Sequence, residues 1–173
     1  MKNISLAVAL AFAAHGALAQ EKTITIAGFG AKSGVVRSFG INSEAAIRAA
    51  ADEINKAGGV KLGDGTKAKI VTEFYDDRCN ADEGISVIRR IAGGDWVVAI
   101  GPTCSNVAEP LFGILQKKAG NASDSGLQFP IFTDVAIKGG LAQISEWAFR
   151  NVPSEMTMYS SLFNFVRTEF PEA

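Results

Sequence analysis

The sequence predicts an α/β fold in which helices flank a parallel sheet. Short segments rich in β-branched and apolar residues alternate four times with longer segments whose apolar residues recur at helical spacing. This alternation is typical of parallel sheets built from strand–helix–strand units. The run at residues 96–100 is apolar throughout, as expected for an inner strand that is covered on both faces. The 173 residues are enough for one domain of ordinary size.

The predicted strands are short, and loops separate them from the helices. They lie at residues 23–27, 68–75, 96–100 and 129–133, with a short extra strand at 149–152. Helices are predicted from Asn42 or Ser43 to Lys56, from Asn80 to the glycines at 93–94, from Ser105 to about Ala119, and from Ser154 onward. A glycine-rich turn at residues 28–34 follows the first strand, and a polar turn at 61–67 precedes the second.

Capping residues support the helix boundaries. Asn80 is followed three residues later by Glu83, which is the spacing of a capping box. Ser105 is a suitable cap for the third helix, and Pro110 lies early enough to be accommodated near its first turn. Glycine pairs at 58–59 and 93–94 end the first two helices.

The N-terminus is predicted to be a secretory signal peptide. Residues 1–3 are a short basic start, residues 4–14 are apolar apart from Ser5, and residues 17–19 have the small-x-small pattern of a cleavage site after Ala19. The apolar run is too short for a stable membrane anchor, and no lipid-attachment cysteine follows it. A soluble mature chain is therefore expected to begin at Gln20.

Charge and composition exclude several functions for the mature chain. Without Lys2 and His15, 16 basic side chains face 18 acidic ones, and no histidine remains. A weakly acidic surface gives no electrostatic case for binding nucleic acid. The absence of histidine excludes Ser-His-Asp or Cys-His catalysis as usually built and any histidine-ligated zinc site. No catalytic residue, metal or cofactor is predicted.

The two cysteines, Cys79 and Cys104, each follow a predicted strand. Parallel strands have their carboxyl ends on one edge of the sheet, where open α/β sheets bind ligands. A disulfide between the two loops is therefore feasible, the alternative being two buried free thiols. Export favours the disulfide, and closing a loop of 26 residues would stabilise the fold by roughly 3.5 kcal/mol in the chain-entropy model.

The order of short motifs resembles one known family. The pieces are Gly-Ala-Lys-Ser-Gly, Phe-Gly, Glu-Ile-Asn-Lys-Ala-Gly-Gly, Asp-Asp-Arg-Cys and Gly-Pro-Thr-Cys-Ser, at residues 30–34, 39–40, 53–59, 76–79 and 101–105. No single piece is specific, but their order and the cysteine spacing together resemble the periplasmic leucine/isoleucine/valine-binding proteins of ABC transporters. The resemblance covers about residues 22–173.

The resemblance implies a transport protein with two α/β lobes, a hinge and a ligand in the cleft between the lobes. Residues 20–173 look like the first lobe, and the second lobe would follow. The implied partners are a small amino-acid-like ligand and the membrane permease of an ABC transporter, in the periplasm. Branched-chain or other hydrophobic amino acids are the first expectation for the ligand, and small amides or aromatic acids the next.

The resemblance also implies ligand-binding residues near the second cysteine. Ser105 looks like the serine that meets the ligand's α-carboxylate, and a helix amino terminus is a ready anion site; a plain helix cap is the alternative. Thr103 and Asn106, on either side, belong to the same candidate site. Phe39 looks like the aromatic residue that covers the ligand side chain, with ordinary packing at the sheet edge as the alternative.

The loop after the fourth strand departs from the family. Its candidate residues are Asp134, Val135 and Ile137. Val135 can offer its carbonyl to an ammonium group, but Ile137 stands where the family has a threonine hydroxyl. Losing that hydrogen bond weakens the case for strict α-amino-acid recognition. Asp134 can replace it by charge, or the ligand can lack an ammonium group; Arg37 is more simply a solvated side chain than a second anion contact.

Two other functions fit parts of the sequence. Glycines at 28, 30 and 34 after a strand hint at a dinucleotide loop, but the predicted helix starts several residues too late and Asp76 lies too far along the chain. Residues 31–33 also lack a Walker glycine. The second alternative is a ligand-sensing domain of the same fold that serves signalling, which the sequence does not separate from transport.

Overall fold

A computed structural model describes residues 21–172 and contains a six-stranded sheet. The strands are β1 (Lys22–Gly30), β2 (Val60–Lys61), β3 (Lys67–Asp76), β4 (Trp96–Ile100), β5 (Ile131–Thr133) and β6 (Ala148–Arg150). The order across the sheet is β2-β3-β1-β4-β5-β6, and every pair is parallel except the β2–β3 hairpin. The predicted α/β class is confirmed. The edge strand β2, which overlaps the predicted polar turn only at Lys61, was missed because it is only two residues long.

Strand β1 continues through the segment that was predicted as a glycine-rich turn. Phe29 is fully buried between Gly28 and Gly30, and all three residues pair with β3. A side chain at Gly28 would collide with the Phe74 ring, and one at Gly30 would collide with the Thr103 hydroxyl. These glycines therefore serve close packing inside the sheet, and the predicted turn at 28–30 is wrong.

Helix α1 (Arg37–Lys56) begins well before the predicted caps Asn42 and Ser43. Its N-cap residue is Val36, whose side chain makes no capping bond, so sequence cues for capping do not reveal this start. Instead, Gly34 has a positive φ of 74°, and its carbonyl accepts a hydrogen bond from Arg37 N at 3.3 Å. A turn at glycine starts the helix here, which places Phe39 in its first turn.

The next two helices, α2 (Ala81–Ala92) and α3 (Ser105–Gly113), pack together on one face of the sheet. The Asn80 cap is confirmed, since its side chain accepts a hydrogen bond from Glu83 N at 3.0 Å. The Ser105 cap is wrong: Cys104 is the N-cap residue and Ser105 is the first helical residue. Helix α3 also ends at Gly113, short of the predicted Ala119, just after Pro110.

The remaining chain forms β5, a 3₁₀ turn (Leu141–Gln143), β6 and helix α4 (Glu155–Glu169). β5 starts two residues later than predicted. The predicted strand at 149–152 corresponds to β6, which starts one residue earlier and ends two residues earlier, and the Ser154 cap of α4 is confirmed. None of the helices within residues 21–172 is long and apolar enough to cross a membrane. The predicted signal peptide lies outside the described residues.

Candidate functional site

The carboxyl ends of the central strands form one rim of the sheet, here called the ligand rim and defined by the loops at residues 31–36, 77–80, 101–104 and 134–140. The predicted disulfide joins Cys79 to Cys104 across this rim, with their Cα atoms 5.6 Å apart. Strand β1 lies between β3 and β4, so the bridge spans the end of the strand at the sheet's centre. The prediction of a disulfide-stapled rim is confirmed.

Asn106 supports the stapled loops. Its side-chain amide donates a hydrogen bond to the Cys79 carbonyl at 3.1 Å. Arg78 and Cys79 both have positive φ, at 54° and 56°, which is uncommon for residues with side chains. The Asp77 carboxylate holds this turn by accepting a hydrogen bond from Cys79 N at 2.8 Å. The Asn106 side chain therefore contacts the disulfide loop, while its backbone stays at the start of α3.

Ser105 joins two loops of the rim. Its hydroxyl oxygen accepts a hydrogen bond from Lys138 N at 3.2 Å. The N–H groups of Ser105 and Asn106 have no acceptor within residues 21–172, as is usual in the first turn of a helix. With its oxygen engaged by Lys138, the Ser105 hydroxyl has its own proton to donate. The first turn of α3 thus offers three donors toward an anion.

Asp134 joins the rim to α1. The Ser43 hydroxyl donates to the Asp134 carboxylate, and the Thr103 hydroxyl lies 3.4 Å from the same oxygen. Burial raises the pKa of Asp134, and the Ser43 hydrogen bond opposes this in part. Phe39 lies one helical turn before Ser43, so both side chains share a face of α1. The structure therefore brings Phe39, Thr103 and Asp134 to one side of the rim.

The loop at residues 134–140 presents both polar and apolar groups. The Val135 carbonyl accepts no hydrogen bond from any residue in the described part of the chain, whereas the carbonyls of the next three residues all do. Ile137 is 37% exposed and Phe39 is 48% exposed. These side chains offer apolar surface beside a free acceptor and the donors of α3.

Asp77 is a buried acid at the rim that was not among the residues predicted from the sequence. It is 0% exposed, and its second carboxylate oxygen has no hydrogen-bond partner within residues 21–172. Burial raises its pKa to about 6, and the nearby charges of Asp76 and Asp134 add to the rise. The Asp-Asp-Arg-Cys motif, with an acid just before a strand-end cysteine, is the signal that marks it.

Within residues 21–172, no three histidine, cysteine, aspartate or glutamate side chains lie in a cluster that could hold a metal ion. The dinucleotide alternative also loses its geometric basis. Gly28 and Gly30 lie inside β1 rather than in a loop that opens a helix, as a phosphate-binding turn requires.

Open α/β sheets bind ligands at the carboxyl ends of their strands, and in this fold that edge is the disulfide-stapled rim. Residues 23–133 match the model of the family described as periplasmic binding protein. The chain belongs to the periplasmic binding protein family.

Curated relatives agree with this assignment. The Leu/Ile/Val-binding protein BraC3 of Rhizobium johnstonii is 34% identical over 113 residues, which cover 64% of this chain and 28% of the relative. The Leu/Ile/Val-binding protein of Escherichia coli K12 is 34% identical over 103 residues, covering 60% and 26%. The matched segments thus span less than a third of these relatives. Both relatives are named as binding proteins.

Solved structures confirm the fold. The branched-chain amino acid transporter substrate binding protein LivJ of Streptococcus pneumoniae, in complex with isoleucine, gives a TM-score of 0.62 at 24% identity and covers 77% of this chain and 34% of that one. A solute binding protein from R. palustris, in complex with 4-hydroxybenzoate, gives 0.66 at 12% identity and covers 86% and 37%.

Proposed function

We propose that this chain is the first lobe of a periplasmic substrate-binding protein that captures a small amino-acid-like ligand for an ABC transporter. One observation carries the proposal: the amino terminus of α3 contacts the loop at 134–140, because Lys138 N donates a hydrogen bond to the Ser105 hydroxyl oxygen. Through that contact the first turn of α3 lies beside the Val135 carbonyl, which accepts no hydrogen bond within residues 21–172. The relatives named for Leu, Ile and Val binding support the same assignment.

The ligand's carboxylate would lie at the first turn of α3. It would accept hydrogen bonds from the N–H groups of Ser105 and Asn106 and from the Ser105 hydroxyl. Charge-assisted hydrogen bonds of this kind are stronger than neutral ones, and the helix dipole adds to them.

An ammonium group would be held by the Val135 carbonyl and attracted by the Asp134 carboxylate. Ile137 supplies no hydroxyl, so this end of the site is less polar than the family pattern implies. Branched-chain and other hydrophobic amino acids remain the first ligands to test, because Phe39 and Ile137 offer apolar contact. Small amides and aromatic acids are the second group, and the 4-hydroxybenzoate complex of a similar fold makes them worth including.

Replacing Ser105 with alanine should weaken binding of L-leucine by about 1–3 kcal/mol in a protein with both lobes, because a buried polar partner is left unmet. Phe39→Ala should weaken L-leucine more than glycine, since it removes apolar contact only. Calorimetry on both variants measures these effects, with Ser123→Ala as a control on an exposed loop away from the rim. If neither site variant alters affinity for the ligand that a thermal-shift screen identifies, the site assignment is wrong.

We propose that a second lobe completes the cleft. The matched segments cover less than a third of the relatives, and α4 has no buried residue, with Phe163 59% exposed. On the sheet, Phe132 and Phe149 stack at 4.6 Å and are both partly exposed. Exposed apolar surface of this extent is typical of an interface.

One lobe supplies half of a cleft, so residues 20–173 alone should bind L-leucine weakly. The expected dissociation constant is about 1 mM or higher, which corresponds to a binding free energy of about 4 kcal/mol or less. The exposed apolar surface should also promote association of the fragment. Ligand titration by NMR and sedimentation measure the two effects. Micromolar binding by a monomeric preparation of this chain would contradict the half-site.

A further inference from the structure

Arg150 lies beneath the loop that carries the candidate ligand groups. It is the last residue of β6 and pairs with Thr133 at the end of β5. Its guanidinium donates four hydrogen bonds, all to backbone carbonyls: Lys138 at 2.8 Å, Val152 at 3.0 Å, and Ala136 and Pro153 at 3.3 Å each. Within residues 21–172 it forms no ion pair with a carboxylate.

The start of α4 completes the set of donors. Glu155 N donates to the Ile137 carbonyl at 2.9 Å, and the Glu155 side chain accepts from Gly139 N at 3.1 Å. The carbonyls of residues 136, 137 and 138 are therefore all held from the side of β6 and α4. Arginine is suited to this role because its planar fork has five donors in fixed directions.

This arrangement has two consequences for the rim. The Val135 carbonyl, just before the three held carbonyls, has no partner within residues 21–172 and remains an acceptor. Lys138, whose carbonyl Arg150 binds, has its N–H fixed on the Ser105 oxygen at 3.2 Å. One peptide segment thus links the guanidinium to the serine hydroxyl.

We propose that Arg150 is a positioning residue for ligand binding. It holds residues 136–138 so that the Val135 carbonyl faces the ligand and the Ser105 hydroxyl directs its proton outward. The inference rests on the proposed function and adds a specificity-determining element to the same site. A lysine retains the positive charge but has no planar fork, so Arg150→Lys separates the geometry from the charge.

The first test needs no ligand. In NMR hydrogen exchange on the full chain, Arg150→Lys should speed exchange of the Lys138 amide about tenfold or more, which corresponds to loss of one or two hydrogen bonds. The Ala99 amide in β4, which donates to the Pro130 carbonyl at 3.1 Å, should be unaffected. Arg89→Lys, at an exposed position on α2, is the matched control. Unchanged exchange at Lys138 overturns the proposal, as does a Lys138 amide that is already unprotected in the wild-type chain.

The second test uses L-leucine as the probe. L-leucine should change the NMR chemical shifts of the Ser105 and Lys138 amides in the wild-type protein, and these changes should be lost in Arg150→Ala. Millimolar methylguanidinium should restore them, a rescue that a merely structural role would not show. If Arg150→Ala binds L-leucine as well as the wild-type protein does, the positioning role is overturned and the proposed function remains intact. If L-leucine produces no response in a protein with both lobes while Lys138 exchange depends on Arg150, the first-choice ligand of the proposed function is wrong, and the role of Arg150 in holding residues 136–138 stands.

Discussion

Replacing Cys79 and Cys104 together with alanine is expected to lower the free energy of unfolding by roughly 3.5 kcal/mol, the chain-entropy value for a loop of this length. The bridge links positions separated by 25 residues, so its loss lets the unfolded chain explore many more conformations. In the folded state the Asn106 side chain would still join the Cys79 loop to the first turn of α3. Urea unfolding followed by circular dichroism gives the change directly.

Reduction supplies the matched control for this experiment. Wild-type protein in excess dithiothreitol should unfold at nearly the urea concentration of the double variant, whereas the variant should not respond to reductant. A difference below about 1 kcal/mol between oxidised wild type and double variant would show that the bridge hardly restricts the unfolded chain, contrary to the chain-entropy account. The double variant also avoids an unpaired thiol, which a single replacement would leave.

The sequence was sufficient for the features that depend on local chemistry. Alternating strand and helix segments predicted the α/β class, and the apolar run at β4 was found where expected. Asn80 and Ser154 cap their helices as predicted because a side-chain oxygen at an N-cap acts on the next few residues alone. The cysteine pairing, although not local, was predictable from the topology, since the carboxyl ends of parallel strands share one edge of the sheet.

Features that depend on distant residues were not predictable in this way. Gly28 and Gly30 look like a turn, yet Phe74 and the Thr103 hydroxyl press against them within the sheet. Ser105 looks like a cap, but the extended backbone at Cys104 makes that residue the N-cap. Ser105 is then the first helical residue, and its hydroxyl accepts a hydrogen bond from Lys138 N. In the sequence, nothing about Arg150 indicates that its guanidinium will bind four backbone carbonyls, two in the loop at 134–140 and two just before α4.

Asp77→Asn is expected to remove a pH-dependent loss of stability worth about 3 kcal/mol, since each pKa unit corresponds to about 1.4 kcal/mol. The ordinary pKa of Asp77 is 3.8, and burial raises it to about 6 in the folded state. Below about pH 3 the carboxyl is protonated in both states, and above pH 6 its buried charge disfavours folding. The favourable contribution is therefore present at low pH and lost as the pH rises through about 6.

The expected result is that the difference in unfolding free energy between wild type and Asp77→Asn shifts by about 3 kcal/mol, in favour of the variant, from pH 3 to pH 7. The slope is a better readout than stability at one pH, because asparagine keeps the acceptor for Cys79 N but leaves a buried amide in place of the unpartnered oxygen. Asp64→Asn is the matched control: hydrogen bonds from Lys22 and Thr66 lower the pKa of Asp64 to about 2, so its curve should run parallel to wild type between pH 5 and 7. Parallel curves for wild type and Asp77→Asn over the same range would show that Asp77 does not titrate with a raised pKa, and the rim would then carry its buried charge without a cost to folding.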